Sequence, residues 1–335
     1  MKTAFLTGGT GFVGANLARA LLAAGWQVRA LARPTSDRRN LDGLELEIVD
    51  GDLGDADLAN KIGPCDAVFH AAAHYSLYRA DRAAVMRSNV DGTRNLLAAA
   101  RAAGVGRTVH TSSVAAIGVK HQGIADETYQ SPPERLIGAY KLSKYLAERE
   151  ALAAAAGGQD VVIVNPATPI GPWDRKPTPT GEIFVRFLTG RMPVLVKTGL
   201  NFVDVADVAQ GHLLAFERGR PGERYILGNE NLSLGALLQR VGALAGRRAP
   251  TLTIPQWLPL GVAWFEEEIL ARTGRQPKIS IDGVRMSQES MYYDASKAKL
   301  QLGFAPQPID AAIRTAIAWF AENGYLHKER ERAWQ

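Results

Sequence analysis

The chain has 335 residues, an apolar share of 46% and a net charge of +5, which fits a globular protein of one large domain with a smaller appendage and excludes a disordered chain. The positive charge is mild and forms no long basic run, so nucleic acid is not an expected partner. A single cysteine, Cys65, rules out an internal disulfide and fits a reducing compartment.

From the N-terminus, short apolar runs recur at 3–6, 28–31, 46–49, 67–69, 108–111 and 161–164, with helix-period segments at 13–24, 83–103 and 139–156 between them. Strand and helix in alternation, with strands apolar on both faces, predict an α/β protein with a doubly wound parallel sheet, the Rossmann fold. This dinucleotide-binding domain is expected over 1–166. The texture then changes: residues 166–179 carry five prolines, a density that argues against any regular element there. Short helices at 182–189, 234–245 and 309–323 and a strand at 224–227 follow. Residues 167–335 therefore read as a smaller, mixed substrate-binding lobe, with some segments returning to the Rossmann core. The apolar stretch 257–271 is broken by Glu266, Glu267 and Glu268 and is too short to span a bilayer. It reads as a core helix, with an amphipathic helix resting on a membrane surface as the alternative. With no signal-peptide layout at the N-terminus, the expected location is cytoplasmic.

The first strand leads into Thr7-Gly8-Gly9-Thr10-Gly11-Phe12-Val13-Gly14, which opens the first helix. Glycines at 8, 11 and 14 permit a tight turn, a close backbone approach to a pyrophosphate and close packing of helix on strand. The helix N-terminus offers its free N–H groups to the phosphates. Gly8, Thr10, Gly11, Phe12, Val13 and Gly14 are thus candidate dinucleotide contacts. Selectivity is set at the end of the second strand, where a carboxylate favours NAD and an arginine accepts the extra phosphate of NADP. Arg33 stands there, and Asp37 lies farther into the loop. NADP is the expected cofactor, with NAD as the alternative.

Tyr140 and Lys144 fall four apart in a helical pattern and so share one face. A free phenol titrates near pH ~10, and a neighbouring ammonium is expected to lower that value and make Tyr140 usable as an acid or base. Thr111-Ser112-Ser113 closes the fifth strand, at the sheet end where α/β proteins bind ligands. One of these hydroxyls suits the stabilisation of charge developing on a reacting oxygen.

In combination with GDL at 51–53, HAAAH at 70–74, SNVDGTRNL at 88–96, NPATPIGP at 165–172 and FVDVADVAQGHLLA at 202–215, these motifs resemble the extended short-chain dehydrogenase/reductase family across nearly the whole chain. The resemblance implies a catalytic set of Ser113, Tyr140 and Lys144. It also implies that Asp52 and Leu53 contact the adenine, that Ala71, Ala72 and Ala73 line the cofactor, that Tyr140 and Lys144 touch it and that Pro166 lies by the nicotinamide. Within the family the chain is most similar to hopanoid-associated sugar epimerases, themselves similar to dihydroflavonol reductases. Two departures stand out. Val114-Ala115 follow Ser113 where dehydratases of the family carry an acidic pair, and Leu200-Asn201 stand where nucleotide-sugar epimerases place an arginine for the diphosphate.

His74, Tyr75 and Tyr78 follow the fourth strand and are candidates for lining the substrate pocket. The six histidines show no metal-ligand spacing, so no metal is expected. The function expected is hydride transfer at a carbinol or carbonyl carbon of a small molecule. A sugar or polyol epimerase is the first reading, an NADPH-dependent carbonyl reductase the second and a non-catalytic dinucleotide sensor the third; the chain is read as a candidate homodimer.

Overall fold

A computed structural model describes residues 1–121, 123–255, 257–268 and 280–326. Seven strands form one sheet in the spatial order β3 (Glu47–Asp50), β2 (Gln27–Ala32), β1 (Thr3–Thr7), β4 (Ala67–His70), β5 (Arg107–Thr111), β6 (Val161–Pro166) and β9 (Arg224–Leu227). Every neighbouring pair in it is parallel. β1 explains the apolar reading of these strands. Ala4 and Leu6 pack with Leu17 and Leu21 of helix Phe12–Ala23 and with Val208 and Leu213 of helix Val205–Arg218. Phe5, pointing the other way, packs with Leu96 and Ala100 of helix Gly92–Ala102. Both faces are covered, so period-2 alternation of polar and apolar residues is lost.

The chain runs outward from β1 to β2 and β3, then returns to the opposite side of β1 as β4. That reversal opens a crevice at the carboxyl ends of β1 and β4, the place where such sheets bind ligands. The helical pattern expected at 83–103 is built as Arg82–Met86, a π-helical turn Arg87–Asp91 and Gly92–Ala102. Gly92 is needed where it stands, because a Cβ there would lie 2.9 Å from the Leu53 side chain.

The proline-rich stretch corrects the expectation that it holds no regular element. β6 runs through Pro166, β7 (Thr168–Ile170) contains Pro169, and helix Pro179–Leu188 begins inside the stretch. β7 is an edge strand, hydrogen-bonded on one side only, to β8 (Gly199–Asp204). Pro169 therefore needs no partner on the other side. Pro179 occupies the first turn of its helix, where a missing N–H costs nothing, behind a Thr178 cap. β10 (Glu230–Ser233) completes the small sheet, antiparallel to β8. A second core forms around it from Phe184, Phe187, Phe202, Leu237, Leu238, Ile313, Trp319 and Phe320.

Helix Trp257–Glu268 buries Ala263 against Ile281 and Val284, while Trp257, Leu258, Val262, Trp264 and Phe265 are exposed. The remainder of the 257–271 stretch lies outside the described residues. Among the described residues no helix is long and apolar enough to cross a membrane.

Candidate active site

Gly8 leaves β1 with φ of +75°, and a Cβ on it would lie 2.5 Å from the Ala71 carbonyl carbon and the Ala72 nitrogen. Only glycine lets the exit of β4 come this close. A Cβ on Gly14 would sit 2.0 Å from the Gly8 carbonyl oxygen, so the helix rests directly on the turn. Gly11 is different: a Cβ there would have the Gly8 oxygen at 3.4 Å as its nearest neighbour. Its open side leaves room for a ligand. Gly11 is also the N-cap of helix Phe12–Ala23 and supplies no side-chain cap, so the amides of the first turn keep their capacity for an anion. The Thr10 carbonyl oxygen is held by Asn40 Nδ2 at 3.0 Å. The glycine turn fits a dinucleotide.

Across the crevice, the loop leaving β4 is fixed at both ends. The Ala71 N–H donates to the Thr7 carbonyl at 3.1 Å, and the Ala72 N–H to Thr7 Oγ1 at 3.3 Å. Buried Asn89 accepts from the His74 N–H at 2.7 Å and donates to the His74 carbonyl at 3.0 Å. Asn89 Nδ2 also donates to Ser143 Oγ at 2.9 Å, tying this loop to helix Gly138–Ala156.

That helix carries Tyr140 and Lys144 on one ridge, as their spacing predicts. Lys144 is buried and its Nζ donates to the Thr111 carbonyl at the end of β5, at 2.7 Å. Ser113, two residues on, caps the short helix Val114–Ile117, its Oγ accepting from the Ala115 N–H at 3.1 Å. Burial pushes the Tyr140 phenol up to about 12, while hydrogen bonding with Ser113 pulls it the other way. Burial also pushes Lys144 down to about 8, against an upward pull from Glu148. The expectation of a lowered Tyr140 value is thus corrected: the net direction is upward, because desolvation of the phenol outweighs the neighbours that favour its charged form.

The model of the NAD dependent epimerase/dehydratase family matches residues 4–228. The chain belongs to that family. It is 59% identical over 327 residues to a putative dihydroflavonol 4-reductase from Synechocystis sp., covering 96% of this chain and 95% of the relative. It is 38% identical to sterol demethylase protein B from Methylococcus capsulatus, covering 97% and 100%. Among solved structures, a nucleoside-diphosphate-sugar epimerase from Pseudomonas aeruginosa superposes with a TM-score of 0.79 at 28% identity, covering 97% and 99%. The resemblance to extended short-chain dehydrogenase/reductases holds, and the chain is an oxidoreductase of that type.

Several further positions take on meaning within this family. Arg33 directly follows β2 and is exposed at the crevice rim. Asp37 is engaged by Arg39, with Nε–Oδ1 at 2.9 Å, and Arg38 pairs with Asp50 at the end of β3. Asp52 is exposed, its carboxylate accepting from the Gly54 N–H at 3.0 Å. Leu53 is buried, and its carbonyl accepts from Asn95 Nδ2 at 3.1 Å. Pro166 closes β6 beside Asn165. Asn201, at the position where a diphosphate arginine is absent, is buried in the lobe: its Nδ2 donates to Asn231 Oδ1 at 2.9 Å and to the Tyr293 carbonyl at 3.1 Å. Tyr75 stacks obliquely on Tyr140, ring centroids 4.4 Å apart, with 43% of its surface exposed. Tyr78 is half-buried. Glu266 and Glu267 lie within electrostatic reach of its phenol, which sets helix Trp257–Glu268 beside this mouth. No group of His, Cys, Asp or Glu that would hold a metal occurs among the described residues.

Three functional-looking side chains carried no role in the sequence reading: Asn89, Glu148 and Asn165. Asn89 lies inside SNVDGTRNL and Asn165 opens NPATPIGP. Glu148 extends the Tyr140 and Lys144 spacing by one more turn, a signal visible in the sequence.

Proposed function

We propose that the chain is an NADPH-dependent carbonyl reductase in which Tyr140, Ser113 and Lys144 carry out the proton chemistry. The observation that carries this reading is the Tyr140 phenol, half-buried against Tyr75 and hydrogen-bonding with Ser113, which like any phenol of ordinary or raised pKa is protonated at neutral pH. A protonated phenol is a donor, which is what reduction of a carbonyl requires. Tyr140 gives its proton to the substrate oxygen, and the Ser113 hydroxyl donates a hydrogen bond to the same oxygen as negative charge grows on it. The Lys144 ammonium stabilises the phenolate left behind. A bound nicotinamide dinucleotide supplies the hydride. Gly8, Gly11 and Gly14 cradle it, and Arg33 meets the phosphate that distinguishes NADP from NAD.

The substrate reading follows from Asn201 and the tyrosines. With Asn201 consumed by lobe hydrogen bonds, this position offers no cation for a diphosphate, whereas Tyr75 beside Tyr140 offers an aromatic wall. An unphosphorylated carbonyl compound with an apolar or aromatic body suits that mouth. Similarity to a dihydroflavonol reductase-like protein agrees.

A sugar or polyol epimerase linked to hopanoid-type metabolism is the second reading, favoured by the likeness to a nucleoside-diphosphate-sugar epimerase. It would use the same three residues with no net redox change. Incubation of candidate carbonyl compounds with NADPH separates the two. Stoichiometric loss of NADPH absorbance supports the reductase, whereas inverted product with unchanged cofactor overturns it in favour of the epimerase.

A further inference from the structure

Glu148 lies one helical turn beyond Lys144 and two beyond Tyr140, so the three share a ridge of helix Gly138–Ala156. Its side chain is buried, with a relative exposure of 2%. Oε1 accepts from Arg224 Nη1 at 2.8 Å, and Oε2 accepts from Asn165 Nδ2 at 2.6 Å. The same Asn165 nitrogen donates to the Ser113 carbonyl oxygen at 3.0 Å. Arg224 is itself held, its Nη2 donating to the carbonyls of Glu127 at 2.6 Å and Tyr129 at 3.0 Å. A continuous line of hydrogen bonds therefore runs from β9 through the helix and β6 to the residue that presents the Ser113 hydroxyl. Burying a carboxylate is costly even when it is paired, and apolar packing would hold these elements together as well.

We propose that Glu148 is a positioning residue for the reaction: through Asn165 it holds the Ser113 turn in place, and its charge balances the buried Lys144 ammonium. The inference rests on the reading of Tyr140 and Lys144 as a working pair. Among the described residues no other group supplies Lys144 with a counter-charge, and Glu148 divides its own between Lys144 and the Arg224 guanidinium paired with it at 2.8 Å. His70 on β4 and His110 on β5 are kept neutral by burial, and their charged forms would repel the ammonium. Tyr140, on the same helix, is a neutral phenol. Lys141, beside it, turns to Met291 Sδ at 3.6 Å. Against the burial that pushes Lys144 down, Glu148 pushes up.

Glu148→Gln keeps the side chain's shape, removes its charge and gives up one of its two accepted hydrogen bonds, since an amide nitrogen cannot accept from Arg224 or Asn165. In ligand-free protein, with Lys144 followed by NMR of isotope-labelled lysine side chains, its titration midpoint falls by about one unit or more. The alkaline limb of the kcat/KM profile moves down with it. Asn165→Ala instead loosens the Ser113 turn, so kcat falls by about 10-fold to 100-fold while the Lys144 midpoint stays in place. An unchanged Lys144 midpoint in folded Glu148→Gln overturns the proposal. Should that variant not fold, Glu148→Asp decides, since it keeps the charge on an arm too short for the Asn165 bond. The midpoint is then retained and kcat falls; an undiminished kcat overturns the positioning role. Turnover that survives Tyr140→Phe would instead sink the reading of the working pair, while the lysine titration, which needs no substrate, still reports on the charge balance.

Discussion

The Lys144 ammonium and the Thr111 carbonyl oxygen meet at 2.7 Å, joining the middle of helix Gly138–Ala156 to the end of β5. The bond holds a buried cation two residues from Ser113 and one turn from Tyr140. A positive charge is thereby fixed beside a phenol that burial keeps protonated. In the proposed reaction these two groups serve as the proton donor and as the charge that steadies its conjugate base.

Replacing Tyr140 by Phe removes the donor and little else, since the ring keeps its packing against Tyr75. Turnover is expected to fall by about 10²-fold to 10⁴-fold, with dinucleotide affinity, read by fluorescence titration, close to that of the parent. Retained turnover would show that the proton comes from elsewhere.

Arg33→Glu tests where the cofactor phosphate is read. Loss of one charge-assisted contact, worth about 1.5–3 kcal/mol, shifts the ratio of kcat/KM for NADPH over NADH by about 10-fold to 100-fold toward NADH. An unchanged ratio would assign that phosphate to another group on the rim.

The three glycines divide into two roles, and alanine separates them. Gly14→Ala drives a Cβ into the Gly8 carbonyl and is expected to cost about 1–3 kcal/mol or more of stability. Gly11→Ala meets nothing closer than 3.4 Å in the free protein, and its extended backbone suits alanine. Its melting temperature should match the parent's while dinucleotide affinity drops. Equal melting temperatures for the two variants would contradict this division.

Three histidines beneath the crevice make the fold sensitive to acid. Thr7 Oγ1 meets His70 Nδ1 at 2.7 Å and Thr93 Oγ1 meets His70 Nε2 at 3.0 Å, while Thr111 Oγ1 meets His212 Nε2 at 2.8 Å. Burial lowers His70 to about 3 and His212 to about 4, and drives His110 well below the usual imidazole range. These folded-state values lie below those of the unfolded chain, so the unfolded form takes up protons that the native form refuses. The associated stability is complete above pH ~6.5 and is lost as pH falls toward the folded values. The loss amounts to about 1.4 kcal/mol per pH unit for each histidine once the unfolded chain is protonated. Denaturant unfolding at pH ~7 and ~5 measures it. His110→Leu should remove one of the three histidine contributions to the slope and costs no hydrogen bond, because both His110 ring nitrogens are buried without a partner among the described residues. A parallel slope in that variant would refute its share.

What could be read from the chain alone follows from how local each signal is. The glycine turn and the pairing of Tyr140 with Lys144 lie within eight residues or one helical turn, so spacing suffices to find them. The direction of the Tyr140 shift does not lie in spacing: desolvation by the fold outweighs the neighbours that favour the charged form, and desolvation is a tertiary property. Asn165 and Glu148 meet across 17 positions, and Asn165 and Ser113 across 52, which no periodicity reports. Pro169 misled for a related reason, since proline is excluded from paired strands and not from the free edge that β7 presents. The exposed apolar row of helix Trp257–Glu268, by contrast, is already visible as a Trp- and Leu-rich stretch.

Asn40 fastens two parts of the chain that lie far apart in sequence. Its Nδ2 donates to the Thr10 carbonyl in the glycine turn and to the Trp173 carbonyl after β7, at 3.0 and 3.1 Å. Asn16 adds a bond to the Pro172 carbonyl at 3.0 Å, and the Arg19 guanidinium lies 3.4 Å from the centre of the Trp173 ring. The seam ties the glycine turn and the first helix to the segment that follows β7. Replacing residues 167–335 by those of a relative would therefore succeed only if the donor brought its own stitch at 172 and 173, since a joint at 166 would cut through the seam.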